Sequence, residues 1–209
     1  MNLIQTLEWR YATKQFDPTK KVSPDDLEKI KKAIQLSASS YGLQLYKVLI
    51  IEDQELRERL KPASWGQDQI TDASHLIVFC NYAEVNDRDV DEFLELKVET
   101  QQLDMQEVEG YGDFMKDKID EKSAVEQAHW TARQTYLALG NLLAACAELK
   151  IDACPMEGFE PDRYNKILGL EEQGLNASVI AAIGYRTEDD ERQFAEKVRK
   201  PKHQLFEKI

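Results

Sequence analysis

The apolar positions of this chain follow two spacings. Ser23-Pro24-Asp25-Asp26 opens a clear helical stretch. Serine can cap the free N–H groups, proline suits the first turn, and acids favour the positive end of the helix dipole. Leu27, Ile30, Ile34 and Leu36 then recur at roughly helical spacing. Tyr46–Glu52 (YKVLIIE) is a β-branched run and predicts a strand. His75–Tyr82 (HLIVFCNY) is apolar almost throughout, as a strand covered on both faces should be. Ala177–Gly184 (ASVIAAIG) predicts a third core strand.

Helical or loop patterns fill the rest. Residues 2–9 predict a short helix, residues 37–44 a polar loop, and residues 53–61 a charged helix stopped at Pro62. Residues 88–106 predict a long acidic helix, and 110–121 a less regular segment containing Tyr111 and Phe114. Residues 123–149 predict the longest helix, whose second half (TYLALGNLLAACAEL) is apolar nearly all round and so should be buried and central. Residues 161–168 predict a helix ended by Gly169, and Pro155-Met156-Glu157-Gly158 a turn before it. The tail from 188 is charged and has no evident core of its own. No repeat or low-complexity linker interrupts the 209 residues, so residues 1–209 are expected to form one domain. The order of elements predicts an α+β fold with a small sheet under many helices.

Composition narrows the function. With 42% apolar and 32% charged residues the chain is expected to be soluble and globular. A formal net charge of −12 disfavours nucleic acid and anionic lipid as partners. No apolar run approaches the ~18 residues needed to span a bilayer. Cys80, Cys146 and Cys154 are odd in number, widely spaced and set among apolar residues. That favours packed, reduced thiols over a Cys146–Cys154 pair, and a cytoplasmic location. His75, His129 and His203 lie far apart with no ligand spacing, so no metal site is expected. Neither G-x-G-x-x-G nor a Walker sequence occurs, and Ser37, Ser39 and Ser40 lack a nucleophile-elbow pattern.

Against this acidic background, basic residues gather near both ends. Arg10 and Lys14 are four apart, and Lys197 and Arg199 two apart. Each pair could aim a guanidinium fork and a lysine point charge at one phosphate. For either pair alone, ordinary surface charge is the simpler account. In the Pro155–Gly158 turn, Pro155 restricts Cys154 and Gly158 permits close backbone approach to a ligand, although an ordinary turn has the same composition.

Taken together and in order, these stretches resemble the FMN-dependent nitroreductase family, in particular its oxygen-insensitive nitroreductase and NAD(P)H-dependent oxidoreductase members. The resemblance runs through Arg10-Tyr-Ala-Thr-Lys14-Gln-Phe16, Ser37-Ala-Ser-Ser-Tyr-Gly-Leu-Gln44, Thr71-Asp-Ala-Ser-His75, Gly140-Asn141, Pro155-Met-Glu-Gly158-Phe159, Gly184-Tyr-Arg186 and Lys197-Val-Arg-Lys-Pro201. It implies a small mixed sheet surrounded by helices in an intertwined homodimer, with FMN at the subunit interface. NADH or NADPH would reduce the flavin, and a small acceptor would then take its place. By position, Arg10, Lys14, Lys197 and Arg199 would hold the FMN phosphate and ribityl chain, with the backbone of Tyr11 and Ala12 against it. Pro155, Met156, Glu157 and Gly158 would line the isoalloxazine, a backbone N–H near Glu157 facing N5. Gln69 would meet the pyrimidine edge, and Ser39 and Ser40 would reach in from the partner.

The implied activity is hydride transfer to nitroaromatics, quinones or similar acceptors, with no catalytic side chain required. A narrower dihydropteridine, enone or free-flavin reductase, or a flavin-binding protein without turnover, stays open. Tyr111, Phe114 and Met115 fall in the segment expected to form the lid. Ala12 stands where serine is common, Gly42 where asparagine is frequent, Leu45-Tyr46 where proline-tryptophan is usual, and Gly66-Gln67 where asparagine often occurs. These departures bear on pocket shape and therefore on the acceptor.

Overall fold

The computed structural model describes residues 2–209. Four strands, β1 (Tyr46–Ile51), β2 (His75–Tyr82), β3 (Asp152–Met156) and β4 (Leu175–Gly184), form one sheet in the order β1-β2-β4-β3. Every neighbouring pair is antiparallel. The expected mixed sheet is thus corrected to an antiparallel one, and the parallel pairing is an isolated bridge between Ala12 and Ala153.

Helices flank the sheet: α1 (Leu3–Trp9), α2 (Pro24–Gln35), α3 (Gln54–Leu60), α4 (Gln69–Asp72), α5 (Asp87–Gln101), α6 (Met105–Asp120), α7 (Ala124–Glu148), α8 (Pro161–Leu168) and a final turn α9 (Lys202–Leu205). Alternation along the two central strands divides the core. Leu76, Val78 and Cys80 of β2 and Ile180 and Ala182 of β4 face α3, α4 and α8. Ile77, Phe79, Val179, Ala181 and Ile183 face α2 and α7. This two-faced burial is why β2 reads as a nearly continuous apolar run. A third cluster lies between α5, α6 and the loop at Leu43 and Leu45. All three cysteines are free and buried. Among the described residues no helix is long and apolar enough to cross a membrane.

Local signals set most boundaries. Ser23 accepts from the Asp26 N–H at 3.1 Å, Pro24 occupies the first turn, and Ile30 and Ile34 are buried. Leu36 lies past the helix and is exposed, so it leaves the expected apolar stripe. The acidic helix expected to reach 106 stops at Gln101, where Gln102 turns left-handed (φ 55°). Asp104 and Glu107 then form a reciprocal cap that starts α6. The segment expected to be irregular is therefore helical, because Val108, Gly112, Met115 and Ile119 form a buried 4-3-4 stripe.

Two further corrections matter for the site. Cys154, Pro155 and Met156 belong to strand β3, and only Glu157 and Gly158 form the turn. Pro155 is tolerated because β3 is an edge strand. In α7 the apolar half is not buried all round: Tyr136, Leu137, Gly140 and Asn141 stay exposed on one side.

Candidate active site

The Arg10–Phe16 segment runs along the free edge of β3. Ala12 bridges Ala153, Phe16 bridges Arg186, and the buried Phe16 ring anchors the segment in the core. Thr13 Oγ1 donates to Asp152 Oδ1 at 3.4 Å. The same buried carboxylate receives the Arg186 N–H at 2.8 Å and its guanidinium Nε at 2.8 Å. The end of β4 and the N-terminal segment are thus tied to one residue of β3.

A second carboxylate brings in the tail. Asp190 Oδ2 accepts from Tyr11 Oη (2.9 Å), Lys14 N (2.9 Å) and Gln15 N (3.3 Å), and Oδ1 accepts from Arg192 N (3.2 Å). Burial pushes the Asp190 carboxyl up, but these donors outweigh it and hold it below the usual carboxylate range. Tyr11 is pushed up to about 12, first by burial and then by its bond to Asp190.

This folding-together places Arg10, Lys197 and Arg199 near one another, with Lys14 beside Cys154, which the charge of Arg10 also reaches. Arg10 is lowered first by burial and then by the charge of Arg199. Lys197 is lowered by burial and by Arg10, Arg199 and Arg186. Lys14 Nζ lies 3.7 Å from Cys154 Sγ, beside Gln69. Burial raises the Cys154 thiol, opposed by Lys14, Gln69 and Arg10. Lys197 Nζ donates to the Glu8 carbonyl at 2.7 Å, and Arg199 to its neighbour's carbonyl, that of Val198, at 2.7 Å. Among the described residues none of the four cations has a salt bridge to a carboxylate. Arg10 Nε is buried with no hydrogen-bond partner. Buried donors are nearly always satisfied, so such an orphan calls for an explanation.

The end of β3 lies beside this cluster. Glu157 Oε1 accepts from Tyr136 Oη at 2.6 Å, and burial together with that carboxylate pushes the phenol up to about 12. Gln67 Nε2 donates to the Gly158 carbonyl at 2.7 Å and the Ser64 carbonyl at 3.0 Å. A Cβ on Gly158 would stand 2.9 Å from the Trp65 ring and 3.1 Å from Gln67 Nε2. Glycine thus lets the Trp65 ring and the Gln67 amide close over the turn, and exposed Trp65 borders it in a left-handed conformation (φ 55°). Trp65, Tyr136 and Asp190 have no distinguishing local pattern in the sequence.

The sequence profile of the nitroreductase family matches residues 7–185. The chain belongs to the nitroreductase family. It is 36% identical over 200 residues to YfkO of Bacillus subtilis, which carries a provisional NAD(P)H nitroreductase name, covering 90% of each chain. The crystal structure of YdfN, another nitroreductase-like protein of B. subtilis, superposes with a TM-score of 0.89 at 19% identity, covering 99% of this chain and 98% of that one. A protein of Exiguobacterium sibiricum provisionally called a nitroreductase, solved in complex with FMN, superposes with a TM-score of 0.85 at 18% identity, covering 100% of this chain and 98% of that one. The two structures establish a nitroreductase fold.

In this nitroreductase-fold chain the remaining candidates lie elsewhere. Ser39 Oγ accepts from Gln44 N at 3.0 Å. Ser40 Oγ accepts from Trp130 Nε1 at 3.0 Å, and Ser40 N donates to Gln134 Oε1 at 3.2 Å. Among the described residues neither serine contacts the cations. Tyr111 and Phe114 are half-exposed on α6 and stack at 6.2 Å, with Tyr41 edge-on to Tyr111 at 6.3 Å and to Trp130 at 6.1 Å. Met115, expected with them, is fully buried between α5 and α6 and presents no surface for a lid. A cavity of about 500 Å³, lined by Leu43, Phe93, Leu96 and Lys97 among others, opens beside α5 and not at the cations.

Proposed function

We propose that this chain is an FMN-dependent oxidoreductase that passes hydride from NADH or NADPH to small acceptors such as nitroaromatics and quinones. The observation that carries the reading is the cluster of Arg10, Lys14, Lys197 and Arg199, like charges held together with a buried guanidinium nitrogen unused. Collecting four cations on a chain of net charge −12 is unfavourable unless an anion is held there. A phosphate monoester fits that donor set: the guanidinium forks match its oxygens and the lysines add point charge.

FMN, when bound, supplies the hydride chemistry itself. The chain's residues bind and orient. Arg10, Lys14, Lys197 and Arg199 hold the phosphate, with the backbone of Tyr11 and Ala12 beside it. Pro155, Met156, Glu157 and Gly158 form the wall for the ring system, and Gln69 supplies a polar contact at its edge. Fixed N–H groups and cations near the ring favour the negative charge that accompanies reduction. Ser39 and Ser40 serve the partner subunit's site in a homodimer. Tyr111 and Phe114, with Tyr41 behind them, offer aromatic faces to a planar acceptor.

The test is the visible spectrum of the purified protein before and after anaerobic NADH or NADPH. Flavin bands that bleach with either nucleotide support the reading, and a panel of acceptors then separates broad from narrow specificity. A colourless protein that cannot be reconstituted with FMN overturns it.

A further inference from the structure

The cations of the cradle come from opposite ends of the chain: Phe16 anchors the N-terminal segment in the core, whereas the tail has no core of its own to hold it in place. Phe194 and Val198 of the tail are almost fully exposed. The two segments meet at Asp190, a carboxylate 2% exposed whose four donors are all neutral. Oδ2 gathers the N-terminal segment: Tyr11 Oη and the N–H groups of Lys14 and Gln15. Oδ1 holds the Arg192 N–H and so caps the helical turn Glu191–Phe194, which leads into Lys197 and Arg199. A backbone bond from Thr187 N to Gln15 O (3.1 Å) runs alongside.

We propose that Asp190 is the positioning residue that assembles the phosphate cradle, and that it thereby sets the preference for a phosphorylated flavin over an unphosphorylated one. This rests on the flavin reading above. Its two oxygens do different jobs: Oδ2 ties the tail to the Arg10–Phe16 segment, and Oδ1 caps the turn that leads toward Lys197 and Arg199. Asparagine cannot do both. Its single carbonyl oxygen could keep the Oδ2 bonds, but its NH₂ would then face the Arg192 N–H, donor against donor. Asp190→Asn therefore uncaps that turn and loosens the path to Lys197 and Arg199, although Lys197 keeps its bond to the Glu8 carbonyl, while the β3 wall and the Glu157–Gly158 turn stay untouched. Riboflavin, which shares the ring system but lacks the phosphate, reports on that untouched part.

The experiment measures binding of FMN and of riboflavin to flavin-free protein by fluorescence quenching, for the wild type, Asp190→Asn, Tyr11→Phe and a control, Asp25→Asn, exposed at the start of α2. Asp190→Asn should weaken FMN by about tenfold or more, the equivalent of one hydrogen bond to a charged group. Riboflavin binding should stay within about twofold, a difference within the scatter of neutral surface changes. Tyr11→Phe removes one of the four donors and should show the same selective loss in milder form, which keeps the idea testable if Asp190→Asn does not fold. The control should bind both flavins as the wild type does. Equal loss of FMN and riboflavin in both variants would make Asp190 a fold determinant only, and unchanged FMN binding would remove its role altogether. A wild type that binds neither flavin overturns the flavin reading itself, a result distinct from either.

Discussion

Arg10 carries a buried nitrogen with nothing to donate to, and a buried donor left unmade costs about 1–3 kcal/mol. The flavin-free chain is therefore under local strain that a phosphate would relieve. Lys197→Met tests this, because it removes one cation that Arg10 and Arg199 repel. FMN should bind roughly tenfold more weakly, as for the loss of one charged contact, yet thermal denaturation of the flavin-free variant should show no loss of stability. A lower melting temperature would mean that Lys197 is held for the fold. A different buried group governs the acid response. His75 lies between Ser74 Oγ (2.9 Å) and Glu52 Oε1 (3.2 Å), and burial lowers its pKa despite Glu52. Its folded form is thus the poorer proton acceptor. The stability it contributes is complete above the unfolded value of about 6.5 and is lost as pH falls through the lower folded value. Urea melts across that window should show a steeper acid loss in the wild type than in His75→Gln, and parallel curves would exclude His75. The basic pairs and the Pro155–Gly158 stretch stood out in the sequence by residue type, but each alone read as surface charge or an ordinary turn, and only their order along the chain suggested a shared use. Asp190 was not, since its partners lie 176 and 179 residues away and nothing near it marks a clasp.

Elements with local signals were read closely. α2 has its serine cap and proline, α8 its C-terminal Gly169, and β2 its unbroken apolar run. Those that depend on distant partners were not. β3 is five residues long and contains Pro155, and pairing with β4 makes it a strand. The break between α5 and α6 has neither glycine nor proline, only a left-handed Gln102. Sheet direction was equally hidden, because antiparallel order is set by how β1 and β3 flank the central pair. The close of β4 shows how tightly these elements fit. A Cβ on Gly184 would lie 2.9 Å from the Ser74 backbone nitrogen and 3.1 Å from the Phe16 ring. Backbone cannot swing aside as a side chain can, so Gly184→Ala should destabilise by about 1–3 kcal/mol. Because Phe16 anchors the Arg10 segment, flavin should also dissociate faster from this variant. Chemical denaturation and flavin release measure the two effects, and a variant as stable as the wild type would show that the β4 end has room to relax.

At the scale of the whole chain, charge and apolar surface pull in opposite directions. Net charge −12 should keep copies apart, yet Tyr136 and Leu137 of α7 are exposed (Leu137 56%) and Leu3, Ile4 and Leu7 of α1 lie open as well. The two helices are joined where Thr6 Oγ1 donates to Glu148 Oε2 at 2.9 Å. Exposed apolar side chains on two joined helices suit an interaction face, and Ser39 and Ser40 stand apart from the cations of their own chain. The homodimer proposed above, if formed through α7, would account for both facts. Leu137→Glu places a charge on that face without touching the core, so each folded chain should keep its helical content. Sedimentation should show the wild type as a dimer and the variant as a monomer, and the monomer should retain little flavin because it lacks the partner's serines. Salt sharpens the comparison. Screening reduces repulsion between two acidic chains over a Debye length of about 10 Å at 0.1 M. Wild-type association should therefore tighten as salt rises, whereas an interface held by ion pairs would loosen. A Leu137→Glu protein that stays dimeric and flavin-loaded would move the interface off α7 and require Ser39 and Ser40 to act within their own chain.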